Sequence, residues 1–313
     1  MKKVLLVIIF LIAGCSKIYE EMNSFTIYHD GSLREYFIYV PENLNEDTDL
    51  VIGLHGYTGT PESFIRTGDA DFNKFLSSKK MIGVYPVGKS FFFEGRFFSS
   101  WNDLTGSVGE GPKGDICDIE RDFYPYPPDC LRPHRCSWAS CGDDIGFLEK
   151  VLDEVKSKYS IDNVFVAGMS NGGMIAQAMG CTIPNKVDGI INIAGMQSLG
   201  MSCIPDSPVS MVIYGSKNDK TVPALEIVAS DGYFYEPMPN TVNDWKSAFN
   251  CSKTSVEEIN QPSRITKTKY SDCNNDVTIT SILDHENPHD WPRPYKWGLE
   301  LLFSSLPVSY THL

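Results

Sequence analysis

Gly168-Met169-Ser170-Asn171-Gly172-Gly173 stands between two segments of different period. Before it, Asn163-Val164-Phe165-Val166-Ala167 is a short apolar run of the kind that forms a buried parallel strand. After it, Met174-Ile175-Ala176-Gln177-Ala178-Met179 reads as a helix. Strand, Gly-x-Ser-x-Gly, helix is the context that makes this motif a nucleophile elbow. The turn is so tight that side chains two residues either side of Ser170 would collide, so Gly168 and Gly172 carry none. Such a turn holds the serine Oγ exposed at the sheet edge, and the helix start leaves the N–H of Asn171 free for a developing oxyanion.

A nucleophilic serine needs a base and a group to orient that base. On sheets carrying this motif, acid and then histidine follow the serine along the chain. The run from Val209 to Gly215 reads as the next strand, and Asp219 lies in the loop Ser216-Lys217-Asn218-Asp219 just past its carboxyl end, where open parallel sheets display their acids. A plain turn former is the other reading of Asp219, and Asp206 is the reserve acid. Of six histidines, His29, His55 and His134 precede the serine and His312 lies at the extreme end, next to the last residue. That leaves His285 and His289. His289, in Pro288-His289-Asp290-Trp291-Pro292, is the expected base, on a loop stiffened by proline. The spacing of His285 and His289 also looks like a zinc pair, but Pro288 opposes a helix presenting both and no third ligand stands out, so no metal is expected.

The second oxyanion donor is expected after the apolar strand Leu50-Val51-Ile52-Gly53-Leu54, in His55-Gly56-Tyr57-Thr58. Gly56 permits close approach of the backbone to substrate, and the N–H of Tyr57, or else of Thr58, would donate.

Four blocks together carry a family resemblance: Leu54-His55-Gly56-Tyr57, Asp143-Asp144-Ile145-Gly146-Phe147-Leu148, Gly168-Met169-Ser170-Asn171-Gly172-Gly173-Met174 and His289-Asp290-Trp291-Pro292. In them the chain resembles the secreted esterases grouped with polyhydroxybutyrate depolymerases and feruloyl esterases, from about residue 27 to residue 303. The resemblance implies an α/β-hydrolase fold with a mostly parallel sheet, a carboxylic-ester substrate, and Ser170, Asp219 and His289 as triad. Two departures stand out: a Cys- and Pro-rich insertion over 104–140, and an acid block, Gly-Ser-Lys-Asn-Asp, one residue longer than usual. Ser-Asn-Gly-Gly also occurs in prolyl oligopeptidase-like serine peptidases, whose propeller domain this chain has no room for. A binding protein on a hydrolase fold that has lost catalysis is the reading from a different class.

The start of the chain has the grammar of an export signal. Met1-Lys2-Lys3 is basic, residues 4–12 form an apolar core too short for an ordinary span, and Leu11-Ile12-Ala13-Gly14-Cys15 resembles a bacterial lipobox. Cys15 would then carry the lipid that anchors the protein to a membrane, and Ser16 suits an outer membrane. An ordinary signal peptide is the alternative, and it too exports the chain. Eight further cysteines, an even number, read as disulfides in an oxidising compartment. Proximity pairs Cys181 with Cys203 and Cys251 with Cys273, and leaves Cys117, Cys130, Cys136 and Cys141 to pair within the insertion.

A formal net charge of −13 disfavours nucleic acid and polyanionic partners. No cofactor is implied. The alternation of elements predicts one α/β domain over 25–304 with strands at 35–40, 50–54, 81–85, 188–194, 209–214 and 277–283. Helices are expected at 144–159, with Asp143 as cap rather than as a catalytic carboxylate, at 241–249 and at 295–303. Phe91, Phe92, Phe93, Phe97, Phe98 and Trp101 form an aromatic cluster that either cradles substrate or packs under the insertion. Trp101 and Trp291 are the expected walls of the substrate site. The acidic run 115–122 reads as a solvated loop rather than a calcium site, since it lacks the glycine and register of an EF-hand. Residues 305–313 have no evident place after the final helix and are excluded from the fold as a cloning or read-through scar.

Overall fold

The computed structural model describes residues 22–44, 47–121, 124–131 and 134–307. Cys15 and residues 308–313 lie outside the described residues. The strands are β1 (Asn23–His29), β2 (Ser32–Tyr39), β3 (Thr48–Leu54), β4 (Ile82–Pro86), β5 (Lys89–Phe93), β6 (Arg96–Ser100), β7 (Ile161–Met169), β8 (Gly189–Ile193), β9 (Ser210–Ser216), β10 (Lys253–Ile259), β11 (Ile265–Ser271) and β12 (Ile279–Asp284). The helices are α1 (Pro61–Ile65), α2 (Phe72–Lys79), α3 (Asp144–Lys156), α4 (Asn171–Thr182), α5 (Met238–Ala248) and α6 (Tyr295–Phe303).

The ten-stranded sheet runs β1-β2-β4-β3-β7-β8-β9-β12-β11-β10. The inner strands from β4 to β12 are all parallel, and two antiparallel strands close each edge. The inner strands are apolar throughout because both faces are covered. Side chains alternate between faces: Leu50, Ile52 and Leu54 pack with Leu148, Leu152 and Ile175, while Val51 packs with Phe64, Phe72 and Phe303. Helices α3, α4 and α5 thus cover one face, and α1, α2 and α6 the other.

The expected mostly parallel α/β sheet is what the chain forms. The outer strands show no buried–exposed alternation, β10 being largely exposed and β11 partly buried, and pairing places them, β11 on β12 and β10 on β11. Two boundaries need correction. Strand β1 begins at Asn23, ahead of the expected domain start. The expected tail begins too early, because Ser305 and Leu306 are buried: Leu306 sits in the apolar layer beside Phe165 and Gly189, and Thr280 Oγ1 donates to the Ser305 carbonyl.

Four disulfides join Cys117 to Cys136, Cys130 to Cys141, Cys181 to Cys203 and Cys251 to Cys273. The expected pairs form, and the insertion cross-links itself. Asp143 caps α3 by accepting from Gly146 N at 3.0 Å, and its other oxygen meets His29 Nε2 at 2.9 Å. Asp144 instead forms a buried ion pair with Arg34 at 2.7 Å and accepts from Asn102 N at 2.7 Å, tying strand β2 to the start of the insertion.

Candidate active site

Strand β7 ends at Met169, and Ser170 turns the chain with φ 56° and ψ −123° before α4 begins. A left-handed φ at a non-glycine residue costs about 1–2 kcal/mol and needs its surroundings to hold it. Here Ser170 N donates to Ile193 O at 2.7 Å and Ser170 O accepts from Met174 N at 3.0 Å. The flanking glycines are needed for close approach. A Cβ on Gly168 would run into the Gly172 carbonyl, and one on Gly172 into the carbonyls of Leu54 and His55. The elbow is therefore wedged against the end of β3, and Ser170 Oγ sits at the carboxyl edge of the parallel strands.

That same edge carries the other two groups. Asp219 follows β9, and His289 follows β12, next in the sheet. His289 Nδ1 lies 2.6 Å from Asp219 Oδ2, and Asp219 Oδ1 accepts from the N–H groups of Thr221 and Val222 at 2.8 and 2.9 Å. The carboxylate is fully buried, whereas the imidazole is 21 % exposed. With Nδ1–H donating to the carboxylate, Nε2 is left as an acceptor, the state a general base requires. Asp206 is exposed and precedes β9, at that strand's far end. His285 turns its Nε2 to Thr266 Oγ1 at 2.9 Å, so the two histidines of this loop serve different partners. Among the described residues no three His, Cys, Asp or Glu side chains are grouped so as to hold a metal ion.

One organising residue has no sequence signal. Buried Asp284, the last residue of β12, accepts from the N–H groups of Glu286 and Asn287 through Oδ1 at 2.8 and 3.0 Å. Its Oδ2 accepts from Asn287 Nδ2 at 2.9 Å and Tyr214 Oη at 3.1 Å. Ser216 Oγ donates to the Asn287 carbonyl, and Asn218 Nδ2 donates to that of Glu286 at 3.1 Å. These bonds lock the loop bearing Asp219 to the loop bearing His289.

The loop after β3 lies against the elbow: a Cβ on Gly56 would touch the Met169 carbonyl and Ser170 Cβ. Thr58 N already donates to Ser99 O at 2.8 Å, which leaves the N–H of Tyr57 as the donor on offer from this loop. Asn171, first residue of α4, has an N–H with no intrahelical partner. Its side chain is clamped to the backbone of Trp101, with Trp101 N donating to Oδ1 at 2.7 Å and Nδ2 donating to Trp101 O at 3.1 Å. His55 is a positioning group. Gly88 N donates to its Nε2 at 3.0 Å, its Nδ1 lies 2.8 Å from the Gly56 carbonyl, and burial, with Arg34 nearby, depresses its pKa to about 4. It is therefore neutral and holds the bend at Gly56.

Both expected tryptophan walls are corrected. Trp101 has no exposed surface. Its indole donates to the His55 carbonyl at 2.9 Å, so it braces the loop from behind. Trp291 is buried against Phe64 and Phe72 in the lower core, where the apolar face of α1 draws it away from solvent. Tyr57, in the loop against the Ser170 turn, packs edge-on against Tyr124 and Trp138 of the insertion, at 5.2 and 5.3 Å. Of the acidic run, Asp115 meets His134 Nε2 at 3.0 Å and Asp118 pairs with Arg121.

No family model matches the chain. A bifunctional acetylxylan esterase/xylanase of Neocallimastix patriciarum is 21 % identical over 238 residues, 75 % of this chain. The chain spans only about a quarter (27 %) of that relative's length. Among solved structures, an acetyl xylan esterase from Aspergillus awamori superimposes with a TM-score of 0.57 at 17 % identity, covering 90 % of this chain and 99 % of the other. A thermostable esterase matches with a TM-score of 0.50 at 14 % identity, covering 92 % of this chain and 64 % of the other. The fold is that of the α/β-hydrolases. Ser170, Asp219 and His289 all lie on loops at the carboxyl edge of the parallel strands.

Proposed function

We propose that the protein is an exported serine carboxylic-ester hydrolase acting through Ser170, His289 and Asp219, on acetyl or feruloyl esters of polysaccharides or on short hydroxyalkanoate esters. The observation that carries the reading is the 2.6 Å bond from buried Asp219 to His289, on the sheet edge that also bears the strained Ser170 turn. Ser170 Oγ attacks the ester carbonyl carbon while His289 Nε2 takes its proton. The carbonyl oxygen, now an anion, lies between the N–H groups of Tyr57 and Asn171, each such donor contributing about 10²–10³ in rate. The tetrahedral intermediate collapses, the C–O bond to the alcohol breaks, and His289 returns the proton to the leaving oxygen. Water, deprotonated by the same imidazole, then releases the acid and restores Ser170. Asp219 keeps the imidazole in the Nδ1–H tautomer and stabilises the imidazolium. The named activities of the two acetylxylan esterases support an acetylated polysaccharide among the candidate substrates. The four disulfides support an oxidising compartment, and Cys15 as lipid-modified first residue belongs to the same reading.

The test is hydrolysis of p-nitrophenyl acetate and butyrate, methyl ferulate, acetylated xylan and a hydroxybutyrate oligomer by wild type and Ser170→Ala. Hydrolysis lost in Ser170→Ala is the expected result, and the ranking names the acyl group. Hydrolysis that survives the substitution, or none by wild type, sinks the mechanism and favours a binding protein.

A further inference from the structure

The aromatic run 91–98 forms the hairpin of β5 and β6, closed at Glu94-Gly95, where φ is positive at both residues. Its register sorts the rings onto two faces. Phe92 pairs with Phe97 on the outer face, while Phe91 with Phe98, and Phe93 with Arg96, share the inner face. The base of the hairpin is bonded to the active centre. Ser99 O accepts from Thr58 N, Ser99 Oγ donates to the Gly59 carbonyl at 2.7 Å, and Trp101 clamps Asn171 just beyond. The tip stands away from the core, with Phe93 46 % exposed and Phe92 72 %.

Between the inner face and the insertion runs an open groove of about 660 Å³, lined by Phe93, Glu94, Arg96, Phe98, Tyr124 and Tyr126. One side of it adjoins the loop that packs on the Ser170 turn: Phe98 and Tyr124 have ring centres 6.0 and 5.2 Å from that of Tyr57, whose N–H is the proposed oxyanion donor. We infer that this groove binds a run of sugar units in a neutral polysaccharide, holding the chain whose ester reaches Ser170. The inference rests on the esterase reading for its link to catalysis and names the polymer that reading leaves open.

The chemistry of the lining selects this occupant. Flat aromatic faces take the C–H faces of pyranose rings. Glu94 and Arg96 supply an acceptor and a fork of donors for hydroxyls, and neither forms an ion pair among the described residues. Their charges cancel within the groove, so it favours neither an anionic nor a cationic chain. The net charge of −13 further repels acidic polysaccharides and anionic lipid surfaces. A polyester has no hydroxyl array to use Glu94 and Arg96, and a groove this size fits several sugar units.

The test is affinity electrophoresis of the full-length Ser170→Ala protein in gels containing unsubstituted xylan, which binds without turnover. Xylan is expected to retard it, and Phe93→Ala or Arg96→Ala to weaken the apparent affinity about five- to tenfold, with melting temperatures unchanged because both side chains are at the surface. Phe92→Ala, on the same hairpin but the outer face, is expected to weaken it less than twofold. No retardation by xylan overturns the inference, as does Phe92→Ala weakening binding as much as Phe93→Ala. Loss of binding to polyhydroxybutyrate particles or anionic vesicles in Phe93→Ala, with xylan affinity unchanged, also overturns it. Wild-type hydrolysis of p-nitrophenyl acetate separates the two failures: ester turnover without xylan retention removes the groove alone, and xylan retention without ester turnover removes the esterase alone.

Discussion

Replacing Asp219 by asparagine separates orientation of the base from stability of the loop. The amide oxygen can keep the two bonds that Oδ1 accepts from Thr221 N and Val222 N. The amide nitrogen takes the place of Oδ2, 2.6 Å from His289 Nδ1, and two donors cannot face each other there. The imidazole escapes by moving its proton to Nε2, which leaves no acceptor for the Ser170 proton. It also loses the buried carboxylate that would stabilise the imidazolium. Acids in this role elsewhere are worth about 10⁴ in kcat, or roughly 5.5 kcal/mol at 1.36 kcal/mol per decade. Stability falls far less, by about 1–2 kcal/mol, because one charge-assisted bond is replaced and two backbone bonds are retained. Asp219→Ala is expected to match Asn in kcat but to lose about 2–3 kcal/mol more, since it strands both backbone donors. The assay is steady-state hydrolysis of p-nitrophenyl acetate alongside urea unfolding of each variant. An Asp219→Asn enzyme retaining more than a tenth of wild-type kcat would refute the argument, because the pair would then not orient the base.

Gly168→Ala drives a Cβ into the Gly172 carbonyl, so the elbow must open. We expect at least a hundredfold loss of kcat with KM little changed, and a variant within threefold of wild type would show that the close approach is not required. Asp284→Ala strands Glu286 N and Asn287 N, takes the acceptor from Tyr214 O–H and removes one of the two bonds of Asn287 Nδ2; unfolding should show a loss of about 3 kcal/mol, and activity should fall even well below the melting temperature as the His289 loop loosens. Because the folded pKa of His55 is depressed to about 4 from 6.5, its contribution to stability is present above pH 6.5 and lost as pH falls towards 4, by on the order of 3 kcal/mol. Urea unfolding of wild type against His55→Gln between pH 4 and 7 checks this: the difference should shrink towards low pH, and a constant difference would contradict it. Cys15→Ser is expected to move the protein from the membrane to the soluble fraction on cell fractionation, and an unchanged distribution would remove the lipid anchor.

The tight turn at Ser170 was legible because its signal is local. A serine between two glycines, with an apolar strand before and a helix after, states its own backbone geometry within a dozen residues, and the clash distances at Gly168 and Gly172 arise from that same segment and β3. The inner strands were legible for a related reason: burial on both faces leaves an unbroken apolar run. Asp219 and His289 could be nominated by chain order and loop position. Their 2.6 Å bond depends on β9 and β12 being neighbours, which no local pattern states.

What only the tertiary structure decided is everything set by facing surfaces distant in the chain. Composition marked Trp101 and Trp291 as possible walls, yet packing turned one behind the oxyanion loop and the other into the core, because a large ring goes where apolar neighbours close around it. Leu306 reads as tail until Phe165 and Gly189 are seen beside it. Asp284 is an unremarkable acid at a strand end until Tyr214, 70 residues earlier, is seen donating to it from the neighbouring strand. Strands β10 and β11 form through inter-strand hydrogen bonding to an existing edge rather than through their own hydrophobicity. By itself, then, the sequence determined the inner strands, the main helices and the tight turn at Ser170, since short-range sterics and burial period write them into neighbouring residues. The contacts that assemble a site were decided by the fold, since they join segments separated by 70 residues or more, as Asp219 and His289 are.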